Sequence, residues 1–184
     1  QNSIRLREQM NQDKQDKLIE EDLVAELSRV YGRAATLCMR LGKKYRKLAG
    51  DYCEASLRVI EAGLKEQQTD ARLEALCAAY VQKSDWYLLE DTPDIDKALE
   101  LCIHCAAILE GLDVRERTAS TQNHLADIYH RIGLLYGKKG DDASRAAEAD
   151  YLKRSRELLL DIVSKKPSVQ ARRNVINAER TQAM

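Results

Sequence analysis

Residues 129–141 read YHRIGLLYGKKGD. This helix-forming segment sets Gly133 between Tyr129 and Tyr136. A glycine inside a helix costs about 1 kcal/mol relative to alanine, so Gly133 predicts a close neighbour that leaves no room for a side chain. Shifting the chain by 49 residues shows that the position recurs. Tyr31, Tyr80 and Tyr129 coincide, and four residues on the small residues Ala35, Ser84 and Gly133 coincide. Cys38, Tyr87 and Tyr136 follow, then Ala49, Ala98 and Ala147, then Cys53, Cys102 and Tyr151. Apolar columns run alongside: Leu27/Leu76/Leu125, Val30/Ala79/Ile128, Leu37/Trp86/Leu135 and Ile60/Leu109/Leu158. A fixed period of this length marks stacked supersecondary units, because one helix pair cannot bury its apolar face alone.

Turn-forming clusters cut the chain into helix-length pieces at 41–44, 67–70, 90–94, 111–113 and 137–142, and again at Pro167. Between them apolar residues recur at three- and four-residue spacing, as in Leu73, Leu76, Cys77 and Tyr80, which is helix periodicity. The expected fold is all-α: three stacked antiparallel helical hairpins, 22–41 with 45–66, 71–89 with 93–110, and 115–136 with 143–164. A capping helix over 169–183 and a polar extension over 1–21 complete it. Thr69, Thr92 before Pro93, Ser168, and either Thr118 or Asp113 are the expected helix starts. The small columns 35/84/133 and 49/98/147 are expected to face each other within each hairpin.

Lysine and arginine balance aspartate and glutamate at 30 each, so no global field points to nucleic acid or an anionic membrane. No apolar run approaches the ~20 residues needed to span a bilayer. No secretory signal opens the chain, and the abrupt start at Gln1 suggests a piece of a longer protein. Five cysteines, an odd number in a helical chain, fit an intracellular, reducing compartment such as the cytoplasm.

An aromatic, a small residue four on, an aromatic three further, then an alanine and an aromatic four after it: this pattern resembles the tetratricopeptide repeat. The third copy carries it best, with Tyr129, Ile132, Gly133, Tyr136, Ala147, Tyr151 and Pro167. The family's usual repeat is 34 residues, so 49-residue copies require longer helices. Lys83 stands where an apolar residue is usual, and Cys53 and Cys102 replace an aromatic. The resemblance implies a scaffold, adaptor or regulatory module. Its partner, a protein or peptide, would lie in a groove lined by the first helix of each hairpin: Arg29, Thr36 and Arg40, then Val81 and Asp85, then Asp127, His130, Arg131 and Leu134. One subgroup grips acidic carboxyl tails with Lys, Asn and Arg. Gly32, Thr36, Gln82 and Asp127 stand at its positions here and only Arg131 matches, so that mechanism is rejected. A related reading makes the groove autoregulatory, binding a segment of the parent chain.

Cys102-Ile103-His104-Cys105 offers half a zinc site, but zinc wants four ligands and the cysteines fall in packing columns. A metal- or thiol-dependent activity is therefore the enzymatic rival, with no metal or cofactor expected. His124, Asp127 and His130 lie three apart along one helix face, which reads as a solvated or groove surface. Residues 137–141 (GKKGD) lack the order of a phosphate loop and read as a turn. Lys43, Lys44, Arg46 and Lys47 suit the negative end of the preceding helix, and nucleic acid stands last among the partners. Homo-oligomers are expected to form, if at all, through Ile4, Leu6 and Met10 of the N-terminal segment.

Overall fold

The computed structural model describes residues 23–89, 92–112 and 118–165. The regular structure among them is entirely helical, so the protein is all-α. Helix α1 occupies residues 23–41. After a short 3-10 turn at Lys43–Tyr45 come α2 (Arg46–Glu66), α3 (Asp70–Leu88), α4 (Ile95–Glu110), α5 (Ala119–Lys139) and α6 (Asp142–Lys165). None is long and apolar enough to cross a membrane. The polar segment 1–21 and the expected cap 169–183 lie outside the described residues.

Most boundaries follow local chemistry. Thr69 accepts from Arg72 N at 3.2 Å and Thr118 from Thr121 N at 3.2 Å, each satisfying a first-turn donor. At α4 the expected start is corrected. Asp94, not Thr92, caps the helix, accepting from Lys97 N at 3.0 Å, and its carboxylate also meets the positive end of the helix dipole. The turn expected over 137–142 shrinks, because α5 continues through Lys139 and stops at Gly140, whose φ of 74° suits glycine. Asp141 then accepts from the amide and hydroxyl of Ser144, both at 2.8 Å. At the end of α2, the buried guanidinium of Arg72 donates to the carbonyls of Gly63 and Gln67, placing a cation at a helix C-terminus.

Successive helices run antiparallel. Trp86 donates to the Arg46 carbonyl, Lys83 to Glu54, Tyr80 to Glu61 and Arg72 to Gly63, so α3 descends as α2 ascends. Tyr129 donates to Glu110 and Lys139 to Asp96, giving the same sense to α4 and α5. Helices α3 and α5 also touch. The 49-residue step appears in the contacts themselves. Tyr80–Glu61 and Tyr129–Glu110 are the same bond moved by one step. A second recurring layer joins each first helix to its follower. The Ser28 and Ser56 hydroxyls lie 2.9 Å apart, the Cys105 thiol hydrogen-bonds with Cys77, and Ser155 donates to the Ala126 carbonyl at 2.8 Å.

That layer corrects the register of the last helix. From 56 to 105 is 49 residues, but from 105 to 155 is 50, so one extra residue lies between α5 and the core of α6. The buried columns are accordingly Cys53/Cys102/Leu152, Ile60/Leu109/Leu159 and Gly63/Leu112/Ile162. Ala147, Tyr151 and Leu158, expected in those columns, are only half-buried. Gly133 does face a close neighbour: a Cβ there would lie 2.8 Å from Leu152 Cγ and 3.3 Å from the Glu148 carbonyl. Ala35 and Ser84, at the matching places, are fully buried.

A second correction concerns the first copy. Leu27, Val30 and Leu37 were expected in the core with their counterparts, yet each is at least 45% exposed. Leu76, Ala79, Leu125, Ile128 and Leu135 are buried in the layers where α3 meets α2 and α5 meets α4. No described helix precedes α1, so among the described residues its matching face has no helix to stack on. The unusual Lys83 is solved locally. It is 5% exposed, with its ammonium 2.5 Å from Glu54, 4.5 Å from the Trp86 ring and 5.4 Å from Tyr87. An ion pair and an aromatic face replace water around it.

Candidate functional site

The residues expected to line a groove sit on α1, α3 and α5, and part of the set converges. A cleft of ≈ 310 Å³ opens between α3 and α5. Helix α3 supplies Glu74, Cys77, Ala78 and Val81, and α5 supplies His124, Asp127, Ile128 and Arg131. Their spacing puts them on facing stripes of two helices. Cys77, Ala78, Val81 and Ile128 give an apolar wall, and Glu74, Asp127, His124 and Arg131 give a polar rim.

Electrostatics divide that rim. Arg131 forms an ion pair with Asp85, tying α5 to α3, while its Nε has no acceptor among the described residues. Arg29 of α1 reaches Glu74 at 3.7 Å and Glu26 at 3.3 Å. Among the described residues Asp127 makes no such pair. Its side chain is exposed, yet the protein around the cleft desolvates the carboxyl enough to raise it above its ordinary value, with His124 and His130 pulling the other way. Burial lowers the His130 imidazole, and Asp127 opposes that shift.

The remaining expected residues are scattered. Thr36 donates its hydroxyl to the Gly32 carbonyl of its own helix at 3.0 Å. Arg40 and Leu134 are exposed, and His130 is half-buried, without joining the cleft wall. Glu74, Cys77, Ala78 and Ile128 line the cleft without having been named as groove residues, and His124, read from its spacing as a solvated or groove surface, joins them. The 49-residue step could have found one of them, since Ala78 stands one copy before Asp127. Gly32, noted for the rejected tail-binding mechanism, faces Gln82, whose side-chain amide occupies the space a Cβ there would need.

The Cys102–Cys105 segment is divided by its helix. Both thiols are fully buried, whereas His104 is exposed with its ring edge-on to Tyr80 at 5.5 Å. Cys102 donates to Ser84 Oγ at 3.6 Å. All five cysteines are free and buried. Burial pushes the Cys53 thiol up to about 11 against the pull of Lys83, and burial raises Cys102 as well. The Cys77 partner, with burial, raises Cys105. Thiols held in this way are poor nucleophiles. Among the described residues no group of three or more His, Cys, Asp or Glu is arranged to hold a metal ion.

No family model matches the chain, and no curated protein does. Among solved structures, the "DHF79 filament" aligns over 90% of this chain and 99% of its own at 16% identity, with a TM-score of 0.34. Likeness at that level carries no argument about fold family or function.

Proposed function

We propose that this chain is a helical-repeat recognition module of tetratricopeptide type, built from stacked hairpins, that holds an extended segment of another protein against its first helices. The recurrence of the Tyr–Glu bond and of the Ser/Cys layer at the repeat step supports the stacked-hairpin part of the reading. The observation that carries the recognition part is the cleft between α3 and α5. It combines an apolar wall with the carboxylate of Asp127, which forms no ion pair with a lysine or arginine among the described residues. A lysine or arginine side chain suits this chemistry: its aliphatic stem lies along Val81 and Ile128 and its cation meets Asp127. The five free cysteines support a reducing, intracellular setting.

The test is a peptide array differing in charge, read out with the 184-residue chain and then titrated in solution. Basic peptides are expected to bind, and Val81→Lys is expected to weaken them at least about tenfold, by setting a like charge in the apolar wall. Asp127→Lys should reverse the preference toward acidic peptides. Binding that ignores both substitutions would place recognition elsewhere and refute the assignment.

A further inference from the structure

Helix α1 carries an apolar stripe formed by Leu23, Leu27, Val30, Ala34, Leu37 and Leu41. The steps between them alternate between four and three residues, the a/d rhythm of a coiled-coil seam. Its five larger members are 45–63% exposed. An apolar stripe of this extent on a surface marks an interface. The same face of α3 and α5 is buried on a preceding helix, so the chemistry of the stripe is that of a helix-stacking surface.

We propose that this face pairs with the same face of a second copy, two α1 helices crossing antiparallel about a twofold axis. A twofold interface must be self-complementary, and the stripe meets that demand along its whole length. With the helices antiparallel, Leu23 lies opposite Leu41 of the second copy, Leu27 opposite Leu37, and Val30 opposite Ala34. Each layer matches a residue to one whose number completes the same sum, so no apolar position overhangs. The rim agrees. Glu26 and Arg40 flank the stripe on one side, and the same alignment leaves Glu26 of each copy only two residues, about 3 Å along the axis, from the level of Arg40 of the other, within reach for an opposite-charge pair at both ends. Arg33 lies at the centre near its own counterpart, and its charge is already engaged by Glu26 of its own helix at 3.2 Å. The 19 residues of the helix give a seam of about 28 Å, and the exposed side chains of Tyr45 and Leu48 extend the apolar area at its end.

The experiment is sedimentation equilibrium of the 184-residue chain over a wide concentration range. A dimer is expected. Leu27→Lys with Leu37→Lys should give monomers of unchanged helix content, since both positions are exposed. Arg40→Glu sets two glutamates against each other at both ends and should weaken the dimer about tenfold. For the register, chains carrying Leu27→Cys are mixed with chains carrying Leu37→Cys under mild oxidation, with the unaltered chain as baseline. The mixed disulfide should form faster than either self-linked product. A chain that stays monomeric, whether another part of the chain or a different protein covers the stripe, overturns the proposal. So does a dimer that survives the lysine pair, or Leu27→Cys chains that preferentially link to themselves.

Discussion

Replacing Gly133 and Gly137 with alanine, one at a time, sets helix propensity against interhelical packing within a single helix. Both glycines lie inside α5, and alanine gains about 1 kcal/mol at either position from propensity alone. The surroundings differ. At Gly137 the added methyl would meet only the carboxylate end of Glu148, 2.6 Å from Oε1, a flexible tip that can swing aside. At Gly133 it would meet Leu152 at Cγ and Cδ2, 2.8 and 2.9 Å away, and the Glu148 carbonyl at 3.3 Å. Ordinary carbon contacts are about 3.5–4.0 Å, and Leu152 is buried with the α6 backbone behind it. Overpacking of this kind costs about 1–3 kcal/mol. Gly137→Ala should therefore stabilise by about 0.5–1 kcal/mol, while Gly133→Ala should destabilise by about 0–2 kcal/mol. Urea unfolding followed by far-UV circular dichroism measures both, with the m-value checking that one transition is compared. A double-mutant cycle sharpens the result. Leu152→Ala alone should cost about 2–5 kcal/mol, but at least about 1 kcal/mol less when Gly133→Ala is present, because the methyl then fills part of the cavity. If Gly133→Ala stabilises as much as Gly137→Ala and shows no coupling to Leu152, close approach is not the reason for the glycine.

Tyr80→Phe and Tyr129→Phe should each cost about 1 kcal/mol in thermal or urea unfolding, because each removes one hydrogen bond to a partly solvated glutamate; a large difference between them would break the equivalence of the two repeat steps. Lys83→Met should be neutral or stabilising by up to about 2 kcal/mol, whereas Glu54→Gln should destabilise by about 1–2 kcal/mol, less than a fully buried pair because Glu54 is itself 57% exposed. Titration with a thiol reagent at pH 8 should leave the five cysteines almost unreactive in the native chain and release all five in denaturant; Cys102 or Cys105 reacting as fast as a free thiol would contradict their placement in the core.

The repeat was legible because interactions repeat with it. Tyr80 and Tyr129 could be matched before any coordinates, and both bind a glutamate 19 residues earlier. The shift of α6 was not legible. A one-residue insertion leaves a helix amphipathic and merely turns it by about 100°, so Ala147 and Tyr151 looked as suitable as Glu148 and Leu152. The candidate cleft was half visible: Val81, Asp127 and Arg131 were named from one helix face, while Glu74, Cys77 and Ile128 joined them only when α3 met α5.

Composition and period by themselves determined an all-α protein, the approximate span of its described helices and the small residues at Ala35, Ser84 and Gly133, since these follow from backbone propensity and three- and four-residue spacing. What covers each face was decided only in three dimensions. Leu27, Leu76 and Leu125 are the same residue in the same column, yet Leu27 lies open while the other two are buried. The burial of a side chain depends on whether another helix lies beside it, and the pattern along one helix cannot say whether that neighbour is there.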